Sequence, residues 1–158
     1  MRLMIKQRVF AWTDTYAIYD EWENKKYFVK SEALRLTHQV RVYDLAGNEI
    51  GLISQRLFTF LPTFDISVGG RPCGSIKKEF TFFKPSYSIE YGGWQCDGDF
   101  ISWNYNVTVG SRLVANIAKQ FLSWGDTYTL DIADPGDEIM ALMLVIAIDA
   151  ANCSQNNN

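Results

Sequence analysis

Nucleophilic catalysis needs a base beside the nucleophile, and the chain has one histidine, His38, to act as that base. It lies in Leu36-Thr37-His38-Gln39-Val40, an alternating run that predicts a strand with the imidazole facing water. Cys73, Cys96 and Cys153 are odd in number and widely spaced, with no C-x-x-C pair. Cys73 follows Pro72 in an expected turn and Cys153 falls in a polar tail, so all three read as free thiols of a reducing compartment. No G-x-x-x-x-G-K-[ST] phosphate loop and no dinucleotide glycine signature occurs. The residues therefore predict no catalytic group and no cofactor.

The acids suggest little more. Asp97-Gly98-Asp99 spaces two carboxylates as a calcium loop does, but no twelve-residue ligand pattern closed by Glu follows. Asp and Gly are also the residues of tight turns, and a turn without metal is the expectation. Asp149 ends an apolar run and is expected at a barrel mouth or beside a base, because a buried unpaired carboxylate is costly.

The bases are more suggestive. Arg56, Lys77, Lys78 and Lys119 occupy related places in an internal repeat and are the candidate anion-binding residues, with Lys25, Lys26, Lys30 and Lys84 as possible additions. Lys and Arg suit phosphate because they bring charge and several donors. The competing reading is that strand exteriors carry Lys for solubility and against edge pairing. Fifteen basic against eighteen acidic side chains give a net charge of −3. That balance argues against a general nucleic-acid binder, which needs a positive excess.

These groups must be positioned by strands. Turn signals recur at Glu23-Asn24, Gly47-Asn48, Gly69-Gly70, Gly92-Gly93, Asp97-Gly98, Gly110-Ser111 and Gly125. Between them lie short alternating runs rich in Val, Ile, Tyr, Phe, Trp and Thr, which read as antiparallel strands. The repeat occurs four times: Ile5, Val9, Trp12, Thr15, Tyr16, Ile18; Ile53, Leu57, Phe60, Thr63, Phe64, Ile66; Ile76, Phe80, Phe83, Ser86, Tyr87, Ile89; and Ile117, Phe121, Trp124, Thr127, Tyr128, Leu130. Pro62 and Pro85 exclude a helix there. Each copy predicts strand, corner and strand, with inward apolar residues on both arms and the middle aromatic plugging the corner. About eight strands from these hairpins, plus a few between them, must curl and close into a barrel.

After residue 134 the rhythm changes. Asp134-Pro135-Gly136-Asp137-Glu138 offers a cap, an early Pro and first-turn acids. Ile139 to Ile148 is then apolar without interruption. A helix over about 136–151 is expected to thread the barrel, since ten apolar residues fall well short of the ~20 that span a bilayer. The expected organisation is one domain, 1–152, with a polar tail at 153–158. The basic start lacks the apolar core of a signal peptide, so a cytoplasmic protein without a transmembrane segment is expected.

Several stretches together resemble the LURP-one-related family. They are Tyr16-Ala17-Ile18-Tyr19-Asp20, Tyr27-Phe28-Val29-Lys30, Val42-Tyr43-Asp44 with Gly47-Asn48, Gly74-Ser75-Ile76-Lys77-Lys78, Phe82-Phe83-Lys84-Pro85, Ser123-Trp124-Gly125-Asp126-Thr127-Tyr128, and the terminal apolar helix. The resemblance implies the fold of Tubby C-terminal domains and phospholipid scramblases, a mainly β, closed antiparallel barrel of about twelve strands around a hydrophobic C-terminal helix. It also implies a link to phosphoinositides, which Tubby domains bind. The resulting expectation is a non-enzymatic module that docks, peripherally at the membrane, on anionic phospholipid headgroups or another phosphorylated ligand. A protein-interaction scaffold without a small-molecule ligand is the alternative.

Overall fold

The computed structural model describes residues 1–6, 15–122 and 125–154, including side chains except at positions 121, 122, 125 and 126. The strands are β1 (Arg2–Lys6), β2 (Thr15–Asp20), β3 (Lys25–Ala33), β4 (His38–Tyr43), β5 (Glu49–Gln55) and β6 (Thr63–Val68), followed by β7 (Arg71–Lys78), β8 (Tyr87–Glu90), β9 (Trp94–Asp99), β10 (Asn104–Val109), β11 (Arg112–Leu122) and β12 (Gly125–Ile132). They form one antiparallel sheet in the order β8-β7-β6-β5-β4-β3-β2-β1-β12-β11-β10-β9. Every pairing joins strands consecutive in sequence except β1 with β12, which brings the chain round into a barrel. Closure is nearly complete. The seam lies between β8 and β9, where the Cys96 thiol approaches the Tyr87 carbonyl at 3.5 Å.

The repeat's hairpins are borne out by register. Its first and last apolar positions face each other directly, as Ile5↔Ile18, Ile53↔Ile66, Ile76↔Ile89 and Ile117↔Leu130. These pairs alternate inward with residues such as Val29, Val40, Val42 and Phe64, all fully buried. The corners differ from expectation. β5 ends at Gln55 and β7 at Lys78, so Leu57, Phe60, Phe80 and Phe83 lie beyond the strands and are exposed rather than plugging the corners. Val9, Trp12 and Trp124 lie outside the described residues, as do the side chain of Phe121 and tail residues 155–158.

A short 3-10 turn (Pro135–Asp137) precedes α1 (Glu138–Cys153). The Asp134 carboxylate accepts the Gly136 N–H at 2.9 Å, which satisfies an orphan donor at the entry. The helix thus starts two residues later than the sequence suggests and runs two further, making Cys153 its last residue rather than part of a tail. Met140 to Ile148 are all buried, so every face of the helix meets barrel wall. Gly51 makes room for it: a Cβ there would stand 2.4 Å from the Met143 sulfur. At its start, Glu138 accepts from the Tyr27 hydroxyl at 2.6 Å and pairs with Lys26 at 2.6 Å. At its end, the Asn152 side chain accepts from the Tyr87 hydroxyl and donates to the Phe100 carbonyl. No described helix is long and apolar enough to cross a membrane.

Candidate functional site

Because the strands form an up-and-down meander, alternate loops gather at opposite ends of the barrel. Loops 21–24, 44–48, 69–70, 91–93, 110–111 and 133–137 form the base, where α1 begins. These loops hold five acids (Glu21, Glu23, Asp44, Asp134 and Asp137), and the strand ends that flank them carry five cations, Arg2, Lys25, Lys26, Arg71 and Arg112. Much of this acidity is turn chemistry. Asp44 accepts the Asn48 backbone N–H at 2.8 Å and its side-chain amide at 2.9 Å, and these bonds hold its carboxyl below the usual range. Asp137 binds Arg112 at 2.9 Å.

The described loops at the other end, the rim, are 34–37, 56–62, 79–86 and 100–103, and they follow one another around the barrel mouth. They carry Arg35, Arg56 and Lys84 against a single acid, Glu79, whose carboxylate accepts the Ser86 hydroxyl at 2.7 Å. They also expose large apolar side chains: Phe58 (98%), Phe60 (94%), Phe82 (85%) and Phe83 (97%), with Leu34, Leu36, Leu57, Phe80 and Ile101. The loops are tied together. The Lys78 N–H donates to Pro62 O at 2.9 Å, the Glu79 N–H donates to Ser86 O at 2.8 Å, and the Phe80 and Phe82 rings meet edge to face at 5.3 Å. In the loop at 100–103, Phe100 packs on Tyr87, and Trp103 stacks on Tyr128 at 3.9 Å. Ile101 is left projecting between them.

Three of these loops enclose a cleft of about 450 Å³, lined by Phe60, Phe80, Phe83, Lys78, Lys84 and Ile101 among others. Ile101 also borders a second cleft of about 540 Å³ that holds Lys119 and Tyr128. Glu79 also borders the first cleft, so its two lysines leave one net positive charge beside aromatic faces, which suits an anion carried on an apolar body.

The four cations singled out in the sequence divide by strand alternation. Lys78 and Lys119 sit two residues beyond the inward Ile76 and Ile117, on the inward side near the rim. Lys78 is 8% exposed, and burial lowers its pKa. Arg56 and Lys77 stand at odd offsets from their core isoleucines and face outward. Arg56 forms a two-pronged pair with Asp65, at 2.6 and 3.2 Å. Offset parity from each core Ile was the sequence signal that could have sorted them. Sequence reading did not find Arg35, placed Lys84 only as a possible addition, and missed the exposure of the phenylalanines.

The remaining chemistry-bearing residues are placed as follows. His38 is half-buried at an inward position of β4, not facing water, and burial lowers its pKa. Cys73 is exposed within β7 rather than in a turn. Burial pushes the Cys96 and Cys153 thiols up to about 12, which leaves them protonated. Asp97-Gly98-Asp99 ends β9 instead of forming a turn, and Asp99 accepts the N–H groups of Ile101 and Ser102 at 3.1 Å. Among the described residues no three His, Cys, Asp or Glu side chains gather as metal ligands. Asp149, near the helix end, has its carboxyl pushed up to about 7 by burial, and its charge acts on Tyr87, Tyr105 and Cys153.

Comparison with known proteins agrees with this architecture. The uncharacterized Bacillus subtilis protein YxjI is 32% identical over 149 residues, covering 94% of this chain and 92% of its own length. A solved structure of a protein from Arabidopsis thaliana superposes with a TM-score of 0.62 at 15% identity, over 94% of this chain and 90% of that one. Such a likeness shows a shared fold. The LURP-one-related family model matches residues 1–149, and the chain belongs to that family.

Proposed function

We propose that this protein is a non-enzymatic binding module that docks on anionic lipid headgroups through the rim. The observation that carries the reading is the group of large exposed apolar side chains at the rim, Phe58, Phe60, Phe82 and Phe83, flanked by Arg35, Arg56 and Lys84 against the single loop acid Glu79. A net charge of −3 does not oppose it, because acids at the far end are screened beyond ~10 Å at 0.1 M salt. Each cation near an anionic membrane adds about 1 kcal/mol, so Arg35, Arg56, Lys78, Lys84 and Lys119 together support reversible, salt-sensitive association. Lys77, on the outer wall, contributes when the barrel tilts. Peripheral attachment at a cytoplasmic membrane face follows from the same reading.

The test is co-sedimentation with phosphatidylcholine vesicles, with and without phosphatidylserine or a phosphoinositide, at low and physiological salt. Binding that requires the anionic lipid and falls with salt supports the reading; a soluble inositol phosphate that competes shows that the headgroup alone is recognised. No binding at low salt overturns it. One feature favours the alternative, an interaction scaffold: the β8–β9 seam leaves two strand edges unjoined, along a groove of about 710 Å³ whose lining includes Glu79, Asp97 and no cation.

A further inference from the structure

We infer that the barrel docks end-on and that Phe58, Phe60, Phe82 and Phe83 enter the acyl boundary of the bilayer beneath the headgroups; this rests on the headgroup reading above. Four phenylalanines between 85% and 98% exposed, on two neighbouring loops of one barrel end, are a concentration that a water-facing surface avoids. Lone exposed apolar residues are ordinary, but these are joined by Leu57, Phe80 and Ile101 on the same arc of the rim.

The backbone supplies an independent sign. Phe58 has φ 55°, in the left-handed region that a bulky side chain rarely adopts and that Gly or Asn occupies readily. The ring is 98% exposed, so the strained backbone holds it away from the barrel. The neighbouring loop is also braced. Its ends are joined by the Glu79–Ser86 bond, the Thr81 hydroxyl donates to the Lys84 carbonyl, and Phe80 and Phe82 pack on each other.

Charge selects the occupant. Arg56 opens the loop that carries Phe58 and Phe60, and Lys84 directly follows Phe83. Cations just behind projecting aromatics match an anionic bilayer, whose phosphates lie outside the acyl chains that receive the rings. Phe60 and Phe83 border the cleft between the loops, but Phe58 and Phe82 lie outside its lining, so the four rings spread over an arc that a flat, deformable surface covers better than a peptide held in one groove. The base then faces away from the membrane.

The experiment uses the full chain and vesicles of phosphatidylcholine with about one-third phosphatidylserine, a content chosen to give a strong negative surface potential. One variant carries Phe58→Ser, Phe60→Ser, Phe82→Ser and Phe83→Ser together; a second carries Phe60→Trp. The first is expected to melt as the wild type does, since its side chains are exposed, and to bind the vesicles about tenfold or more weakly. The second is expected to show, beyond the wild-type signal, a blue-shifted emission quenched by lipids brominated along the acyl chain. If wild type binds but the serine variant binds equally and Trp emission is unquenched, end-on insertion is overturned while the headgroup reading stands. If wild type does not bind, both fail. A wild-type dimer that the serine changes convert to monomer, without vesicle binding, would reassign this face to self-association and overturn the inference.

Discussion

The two ends of this barrel are made by the same strands and solve different problems. At the base, turns are short, and two of their acids hold backbone: Asp44 closes the turn before β5 and Asp134 caps the entry to the helix. At the rim, the loops run to seven and eight residues at 56–62 and 79–86, and their side chains project outward. Removing Asp44 or Asp134 takes away a hydrogen-bond acceptor that the fold uses, whereas removing Phe58, Phe60 or Phe83 takes away little packing. Residues that cost the fold little to lose and are poor surface choices in water are what the proposed docking through the rim rests on.

The sharpest break of this contrast sets the rim against the core between the ends. Leu144→Asp places an unpaired charge in the middle of α1, where Leu144 is fully buried, and is expected to cost more than about 4 kcal/mol and abolish cooperative folding. Phe58→Asp at the rim is expected to change stability by less than about 0.5 kcal/mol. Urea titration followed by circular dichroism measures both; a soluble, cooperatively melting Leu144→Asp protein would remove the helix from the core.

The second comparison is between charges. Reversing Arg35, Arg56 and Lys84 to Glu is expected to weaken binding to anionic vesicles by about 100-fold or more, at roughly 1 kcal/mol per cation lost. Changing Glu21 and Glu23 to Gln at the base is expected to alter it by about twofold at most, because those sites lie beyond the screening length. Comparable losses from both sets would show that the ends do not differ in function.

Asp149 gives a pH-dependent version. Its folded pKa, raised by burial to about 7, lies above an unfolded value near 4. The folded state therefore holds this proton more tightly: the contribution to stability is complete below about pH 4 and is lost as pH rises towards 7. Asp149→Asn keeps the neutral shape. It is expected to equal wild type near pH 4 and to exceed it by about 1–3 kcal/mol at pH 8, measured by melting across pH. A constant difference between the two proteins would show that the folded state does not raise this carboxyl's pKa.

The smallest effect concerns Arg56. Its partner Asp65 is half-exposed, so Asp65→Asn is expected to leave stability within about 0.5 kcal/mol. Freed of that carboxylate, Arg56 should raise vesicle affinity by about twofold. A fall in affinity in the same sedimentation assay would mean that the pair positions Arg56 for binding.

These contrasts were unevenly legible in the sequence. The core half was readable, because burial imposes a period: Ile53 and Ile66 had to face each other if both arms of the hairpin faced inward, and a ten-residue apolar run was too short for anything but a core helix. The number of strands came from the family resemblance. The rim was not readable. Phe60 and Phe83 have the residue type of core side chains, and only the ends of β5 and β7 place them outside; no local rule of composition fixes where a strand stops. The cations were visible, but equivalence within the repeat ignores odd and even offsets, so Arg56 and Lys78 were grouped although they face opposite sides of the wall.

The position of α1 in the chain order has a consequence for how the molecule is made. All twelve described strands are synthesised before residues 138–153 exist, and β1 waits for β12, its partner 129 residues away at Arg2 and Asp131. Until the helix emerges, the inward row of Ile, Val, Leu and Phe has nothing to close upon. Hairpins can form during translation, since each joins neighbours, but the barrel must assemble late and all at once, as expected where long loops have to close before their contacts repay it. During that interval the nascent chain presents its whole inner face, which makes this a protein expected to lean on chaperones at the ribosome.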